Sequence, residues 1–285
     1  MRRHRRLLLC AGLAAFVVAA GLVGHRAVAP REHRAAEPAI GTSAAAPPES
    51  SSAPAAASSA PPQTSASAQS KREITVRYTF DDGLAGDVSD VDGRLPLRVR
   101  RVEGGDLASV PHNGGLAVRF PALCEHYGAE SCARAILQSG PAGFLNPGRA
   151  EFSYGASVLV RPDETSKGAN VVQKGFSIGD SQFKLQVDGM AGRPSCVIVG
   201  TGSPTIFVAL ASRSVADGRW HRIACSRGNA LLTVAIDGVE VGRIAIPSSL
   251  SIVNDDPLRI GGKGTSANND QFVGVIDDVY VTRIA

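Results

Sequence analysis

This sequence is poor in rings. Of its 285 residues only 5% are aromatic, with one Trp and four Tyr. A sugar site built on ring stacking needs more such side chains, so the scarcity counts against one and leaves room for a site built on hydrogen bonds. A sustained helical period is also missing, which excludes a helical bundle or a coiled coil. The C-x2-C and H-x3-H spacings of zinc sites do not occur. Eight of the 30 Lys and Arg, and three of the 26 Asp and Glu, precede residue 72, which leaves the remainder at −1. A segment so balanced has no electrostatic footprint for nucleic acid.

Long apolar runs are confined to the start of the chain. Four arginines in Met1–Arg6 lead into an unbroken apolar stretch from Leu7 to Gly24, the plan of a secretory signal. Its 18 residues also reach the lower limit for spanning a bilayer. Ala27-Val28-Ala29 has the small-x-small form of a cleavage site, while Pro30 hinders the peptidase. Residues 1–29 therefore read as a signal peptide or a signal anchor. Residues 30–71 are dominated by Ala, Pro and Ser and have little to bury, so they are expected to form a disordered linker. As a coil, such a linker spans roughly 35–40 Å. From residue 72 to 285 the composition is that of one all-β domain.

Five cysteines are present, and Cys10 lies in the apolar segment. The other four make an even set in an exported domain, which predicts two disulfides. Cys124 and Cys132 share one polar loop, "CEHYGAESC", which suits a local bridge. Cys196 and Cys225 sit in apolar strand-like runs, "SCVIVG" and "HRIACS", which suits a bridge between paired strands.

Strand patterns recur at short intervals: "ITVRYTF", "GLAVRF", "RAILQ", "YGASVLVR", "NVVQK", "FKLQV", "CVIVG", "TIFVAL", "WHRIAC", "LLTVAI", "VEVGRIAI", "PLRIGG" and "FVGVIDDVYVTRI". Alternation marks half-buried strands, and Asp237-Gly238 between two of them is a tight-hairpin signal. The pattern predicts an all-β fold, either a sandwich or a barrel. In "DGRWHRIAC", period 2 puts His221 and Cys225 on one face but about 13 Å apart along the strand. They cannot act as a base and its nucleophile.

That stretch, continued as "DGRWHRIACSRGNALLTVAIDGVEVG", then "LRIGGKG" and a closing "FVGVIDDVYVTRIA", resembles the laminin G-like, or concanavalin A-like, jelly-roll domain of exported bacterial proteins. The opening "YTFDDGLAGDVSDVDGR" is similar to that family's first strand and loop. The likeness brackets about Ile74 to Ile284 and implies a two-sheet antiparallel β-sandwich. It does not imply one function, because the fold hosts lectins, adhesion modules and glycan-cleaving enzymes.

Several motifs invite chemistry. Gly175-Phe176-Ser177-Ile178-Gly179 matches G-x-S-x-G, but flanking strand patterns make it a turn rather than a nucleophile elbow. Glycan-cleaving relatives carry an alternating Glu-x-Asp-x-Glu run, and none occurs here. Asp277 and Asp278 are adjacent, so period 2 sends them to opposite faces. The resemblance places Asp81, Asp82, Asp277 and Asp278 where related sandwiches hold a structural calcium. "DVSDVDG", with Asp87, Asp90 and Asp92, fails the EF-hand spacing. Gly261-Gly262-Lys263-Gly264 lacks the Ser or Thr of a phosphate loop, and "TSANND" reads as a polar rim loop.

The sequence thus predicts a secreted or cell-surface protein whose only membrane contact is its N-terminal segment. It is expected to be a non-catalytic module for a glycan or an extracellular protein. The alternatives are a polysaccharide hydrolase or lyase on the same fold, and a structural envelope protein.

Overall fold

The computed structural model describes residues 73–126 and 128–284, so the expected signal and linker at 1–71 lie outside the described residues. Two antiparallel sheets face each other. The first contains β1 (Glu73–Tyr78), β3 (Ala108–His112), β4 (Gly115–Arg119), β6 (Phe152–Leu159), β11 (Trp220–Gly228), β12 (Leu231–Ile236), β13 (Val239–Ala245) and β15 (Val275–Ile284). The second contains β2 (Leu97–Val102), β5 (Arg134–Pro141), β7 (Gly168–Gly175), β8 (Gln182–Asp188), β9 (Arg193–Val199), β10 (Ile206–Leu210) and β14 (Pro257–Ile260). The first runs β13-β12-β11-β6-β15-β4-β3 with β1 added against β15, and the second runs β10-β9-β8-β7-β14-β5-β2. The helical content of the described residues is two short 3-10 turns.

Alternation is what makes these segments strands. In β12 every second side chain of "LLTVAI" is buried, and its partner β13 returns through Asp237-Gly238. Both turn residues have positive φ, 53° and 79°, as a tight hairpin demands. β2 and β3 carry no strand signal in the sequence. β2 reads "LRVRRV" with three arginines, and β3 contains Pro111. Both are edge strands, where charge and proline are tolerated because one side needs no partner.

Between the sheets lies one core. From the first sheet, Phe152 and Tyr154 of β6 meet Phe183 of β8 at ring-centroid distances of 5.5 and 5.0 Å. The Tyr154 hydroxyl crosses the core to donate to the carbonyls of Lys184 (3.2 Å) and Val197 (3.4 Å). Ile223, Leu232, Val234, Leu185, Ile198 and Leu258 are fully buried around them.

The structure joins Cys124 to Cys132 and Cys196 to Cys225, each with Cα atoms 5.6 Å apart. The second bridge does not link paired neighbours. β9 and β11 belong to different sheets, so the bond fastens the two layers across the core. Removing it in C196A/C225A is expected to cost about 2–4 kcal/mol of stability, because the unfolded chain regains the entropy of an open loop. A urea midpoint unchanged from that of the parent protein would contradict this.

Candidate functional site

The cluster around Trp220 dissolves into structure. His221 shares hydrogen bonds with Asp237 (2.8 Å) and Asp217 (3.1 Å), while Cys225 is in the inter-sheet disulfide. The Gly175–Gly179 motif is the turn between β7 and β8, with no helix after it. Gly175 has φ of 78°, and a Cβ there would collide with the Ser181 carbonyl. Ser177 therefore has no elbow to expose it.

Three of the four acids assigned to calcium do meet. Asp81, Asp277 and Asp278 line a cleft of about 540 Å³ with Arg77, His112 and the Asn113–Gly115 turn, whereas Asp82 is exposed outside it. Asp277 and Asp278 were expected on opposite faces. A bulge in β15 between Asp277 and Tyr280, with Asp278 at φ of 49°, instead turns both into the same cleft. Four of the six oxygens of these three acids already have protein partners. Asp277 shares a 2.5 Å hydrogen bond with His112 Nδ1 and accepts from the Asp278 amide (2.6 Å). Asp278 pairs with Arg77, and Asp81 accepts from the Leu116 amide (3.0 Å). Burial raises the Asp277 carboxyl above the usual carboxylate range, against the pull of His112.

Calcium takes six to eight oxygens, and the cleft as arranged sets a guanidinium and an imidazole among the three carboxylates. These residues do not fit the ion without giving up those contacts, and among the described residues no group of three acidic, His or Cys side chains is disposed around a metal. The acids of "DVSDVDG" are also engaged: Asp87 pairs with Arg98, Asp92 with Arg94, and Asp90 accepts from the Leu95 amide. Above the cleft, the His112 ring stacks on Trp220 with centroids 3.7 Å apart.

A second set of polar side chains stands on the outward side of the second sheet, where Asn170, Gln173 and Ser195 are nonetheless buried. Core residues Val172, Leu185, Cys196 and Leu258 point inward, so their strand neighbours point away. Register then sets one row across all seven strands: Arg98, Gln138, Arg259, Gln173, Lys184, Val197 and Val208. Beside it runs a second row of Asn170, Gln186, Ser195 and Leu210. Asn170 and Gln173 are an odd number of residues apart and share the face only because β7 bulges between Asn170 and Val172.

These side chains brace one another. Asn170 Nδ2 donates to Gln173 Oε1 (2.5 Å), and Gln173 Nε2 to the Gly175 carbonyl (2.7 Å). Gln186 Nε2 and the Ser195 hydroxyl both donate to Asp188. Lys263 pairs with Asp270 at 3.0 Å, which brings the Gly-rich turn and the "TSANND" loop to the rim. Burial pushes the Lys184 ammonium down, while Asp270 and Asp188 pull it up. Of the five buried side-chain atoms without a partner among the described residues, three are on this face: Asn170 Oδ1, Arg259 Nε and Arg259 Nη1. Each such atom costs about 1–3 kcal/mol in the free protein.

β8 betrays part of this surface in sequence, since "QFKLQVD" alternates Lys184, Gln186 and Asp188 with apolar residues. Arg259 could not be found that way, because it comes from a strand some seventy residues further on.

The model of the concanavalin A-like lectin/glucanases superfamily matches residues 144–285. That segment belongs to the superfamily. Among solved structures, the fold is similar to domain 4 of AbnA, an extracellular arabinanase of Geobacillus stearothermophilus, in complex with arabinotriose. The TM-score is 0.55 at 18% identity, covering 74% of this chain and 92% of that one. It is also similar to the binding domain of Paraclostridial Mosquitocidal Protein 1 (0.53, 13%, covering 74% and 49%). A third is botulinum neurotoxin type C, whose cell entry depends on interaction with two ganglioside molecules (0.52, 9%, covering 75% and 48%). The chain thus spans about half the length of these toxin structures. No curated protein matches it by sequence.

One cation of the second sheet belongs to the scaffold rather than to the outward face. Lys174 of β7 points inward between Phe183 and Leu258 and is fully buried. Its ammonium donates to Asn146 Oδ1 and the Asn254 carbonyl, both at 2.7 Å, and to Asn254 Oδ1 at 2.5 Å. Burial nevertheless lowers its pKa from 10.5 to about 8, with Asp256 and Asp255 opposing. The folded protein releases this proton first, and the unfolded chain holds it to higher pH. Stability should therefore rise as pH climbs from about 8 towards 10, and K174M should remove that part of the slope. Urea titrations of both proteins across that window give the test, and parallel slopes would refute it.

Proposed function

We propose that this chain is an exported, non-catalytic module that binds a glycan on the outward face of its second sheet. The observation that carries the reading is the pair of braced rows of amides and cations in which Asn170 Oδ1 and the Nε and Nη1 of Arg259 lack partners. Sugar hydroxyls both donate and accept, and fixed amides with spare hydrogen-bonding capacity are their complement. Such a site needs few rings, in keeping with the sequence. Domain 4 of the arabinanase, in complex with arabinotriose, supports a glycan on this architecture. Export is supported by the basic and apolar N-terminal sequence and by two disulfides.

A protein partner is the second reading. It is favoured by the edge of the same sheet, where Ile206, Val208 and Leu210 of β10 are 52, 39 and 41% exposed.

Full-length protein titrated against a panel of neutral and acidic polysaccharides, with calcium and with chelator, tests the proposal. Binding without released product is expected, unchanged by chelator because the cleft acids are engaged elsewhere. K184M and Q186A should each weaken it about tenfold, the loss of one strong hydrogen bond, and D278N should leave it unchanged. Released product would make the protein a hydrolase or lyase. Loss of binding on chelation would restore calcium, and no binding at all would turn the reading to the protein partner.

A further inference from the structure

We infer that the glycan bears an acidic group, a carboxylate or a sulfate, and that Arg259 is the residue that receives it. The inference rests on the glycan reading of the same face. Arg259 stands mid-row on β14, between Gln138 and Gln173, and is only 9% exposed. One face of its guanidinium is covered by the Phe176 ring, 4.8 Å from its centre, which fixes the plane. Its single ion pair, with Asp256, uses Nη2 at 3.3 Å. Nε and Nη1 are left without acceptors.

A buried guanidinium cannot lose its proton to relieve that shortage, so only an acceptor can. An anionic oxygen is the acceptor that a charged donor holds most strongly. Neutral hydroxyls would satisfy Asn170 and Gln186 equally well, but they leave the charge at Arg259 with one carboxylate, on Nη2 alone.

Arg98, Arg100, Arg134, Lys184, Arg259 and Lys263 stand on this face or at its rim, beside the carboxylates of Asp87, Asp180, Asp188, Asp255, Asp256 and Asp270. Arg134 is held by three backbone carbonyls, those of Ala129, Glu130 and Thr265, rather than by an acid. Phe176 is itself 37% exposed on the β7–β8 turn, where it can move aside for a ligand without disturbing the core.

The test uses matched pairs that differ only in the acidic group: oligogalacturonate and its methyl ester, sialyllactose and its methyl ester, and dextran sulfate and dextran. Calorimetry of the full chain at about 0.15 M salt screens diffuse attraction. At least one acidic member should bind about tenfold or more tightly than its neutral partner. R259Q should bring the two within about twofold of each other, and R259K should keep part of the preference. Thermal unfolding of both variants shows that they remain folded. Equal affinity across every pair, or a preference that survives R259Q, overturns the inference and leaves the glycan reading standing. Absence of binding to any glycan overturns both.

Discussion

The packing of one sheet against the other is the constraint from which the rest follows. Phe152 and Tyr154 on β6 press against Phe183 on β8, and the Cys196–Cys225 bond closes the layers beside them. Each strand commits alternate side chains to that contact, so only the other half is free to face a ligand. The contact also reaches the candidate site directly. Tyr154 donates to the carbonyls of Lys184 and Val197, which holds in place the two strands that carry the middle of the outward row. A stiff core thereby becomes a stiff binding face, and side chains that do not have to be ordered on binding cost less entropy.

Two bulges do what strict alternation could not. In β7 the extra residue lets Asn170 and Gln173 share a face, and their mutual hydrogen bond depends on it. In β15 the extra residue lets Asp277 and Asp278 share a cleft. Bulges re-aim side chains at the cost of a ladder bond, and in this protein they do so on both sheets. The results differ in chemistry. In the cleft, Arg77 and His112 pair with the carboxylates and two backbone amides donate to them as well. On the outward face of the second sheet the bracing is incomplete, and polar atoms remain without partners.

The same face changes character from edge to edge. At β2 it is rich in arginine, in the middle it is amide and lysine, and at β10 it is exposed aliphatic. Arginines on an outer strand discourage sheet-to-sheet pairing, which is one way that edges are kept from aggregating. β10 carries no charge, and its aliphatic row of Ile206, Val208 and Leu210 is open to a partner or to self-association.

Most of the fold was legible because it rests on period 2 and on turn chemistry, both local. Thirteen strand patterns and the Asp237-Gly238 hairpin could be read from the residues, and the closing "GVIDDVYV" carried the family resemblance. β2 and β3 were not legible, since arginines and a proline remove the pattern precisely where an edge makes it unnecessary. The cysteine pairs were legible, but not that Cys196–Cys225 crosses between sheets, because strand order is a long-range property. Asp81, Asp277 and Asp278 line one cleft, but their partners Arg77 and His112 come from distant strands and had no signal. The outward row was legible only along β8. By itself the sequence determined which residues alternate, where the chain turns and which cysteines can meet. Tertiary structure alone decided which polar residues stand side by side, because register across seven strands and two bulges sets that, and neither is written in any one segment.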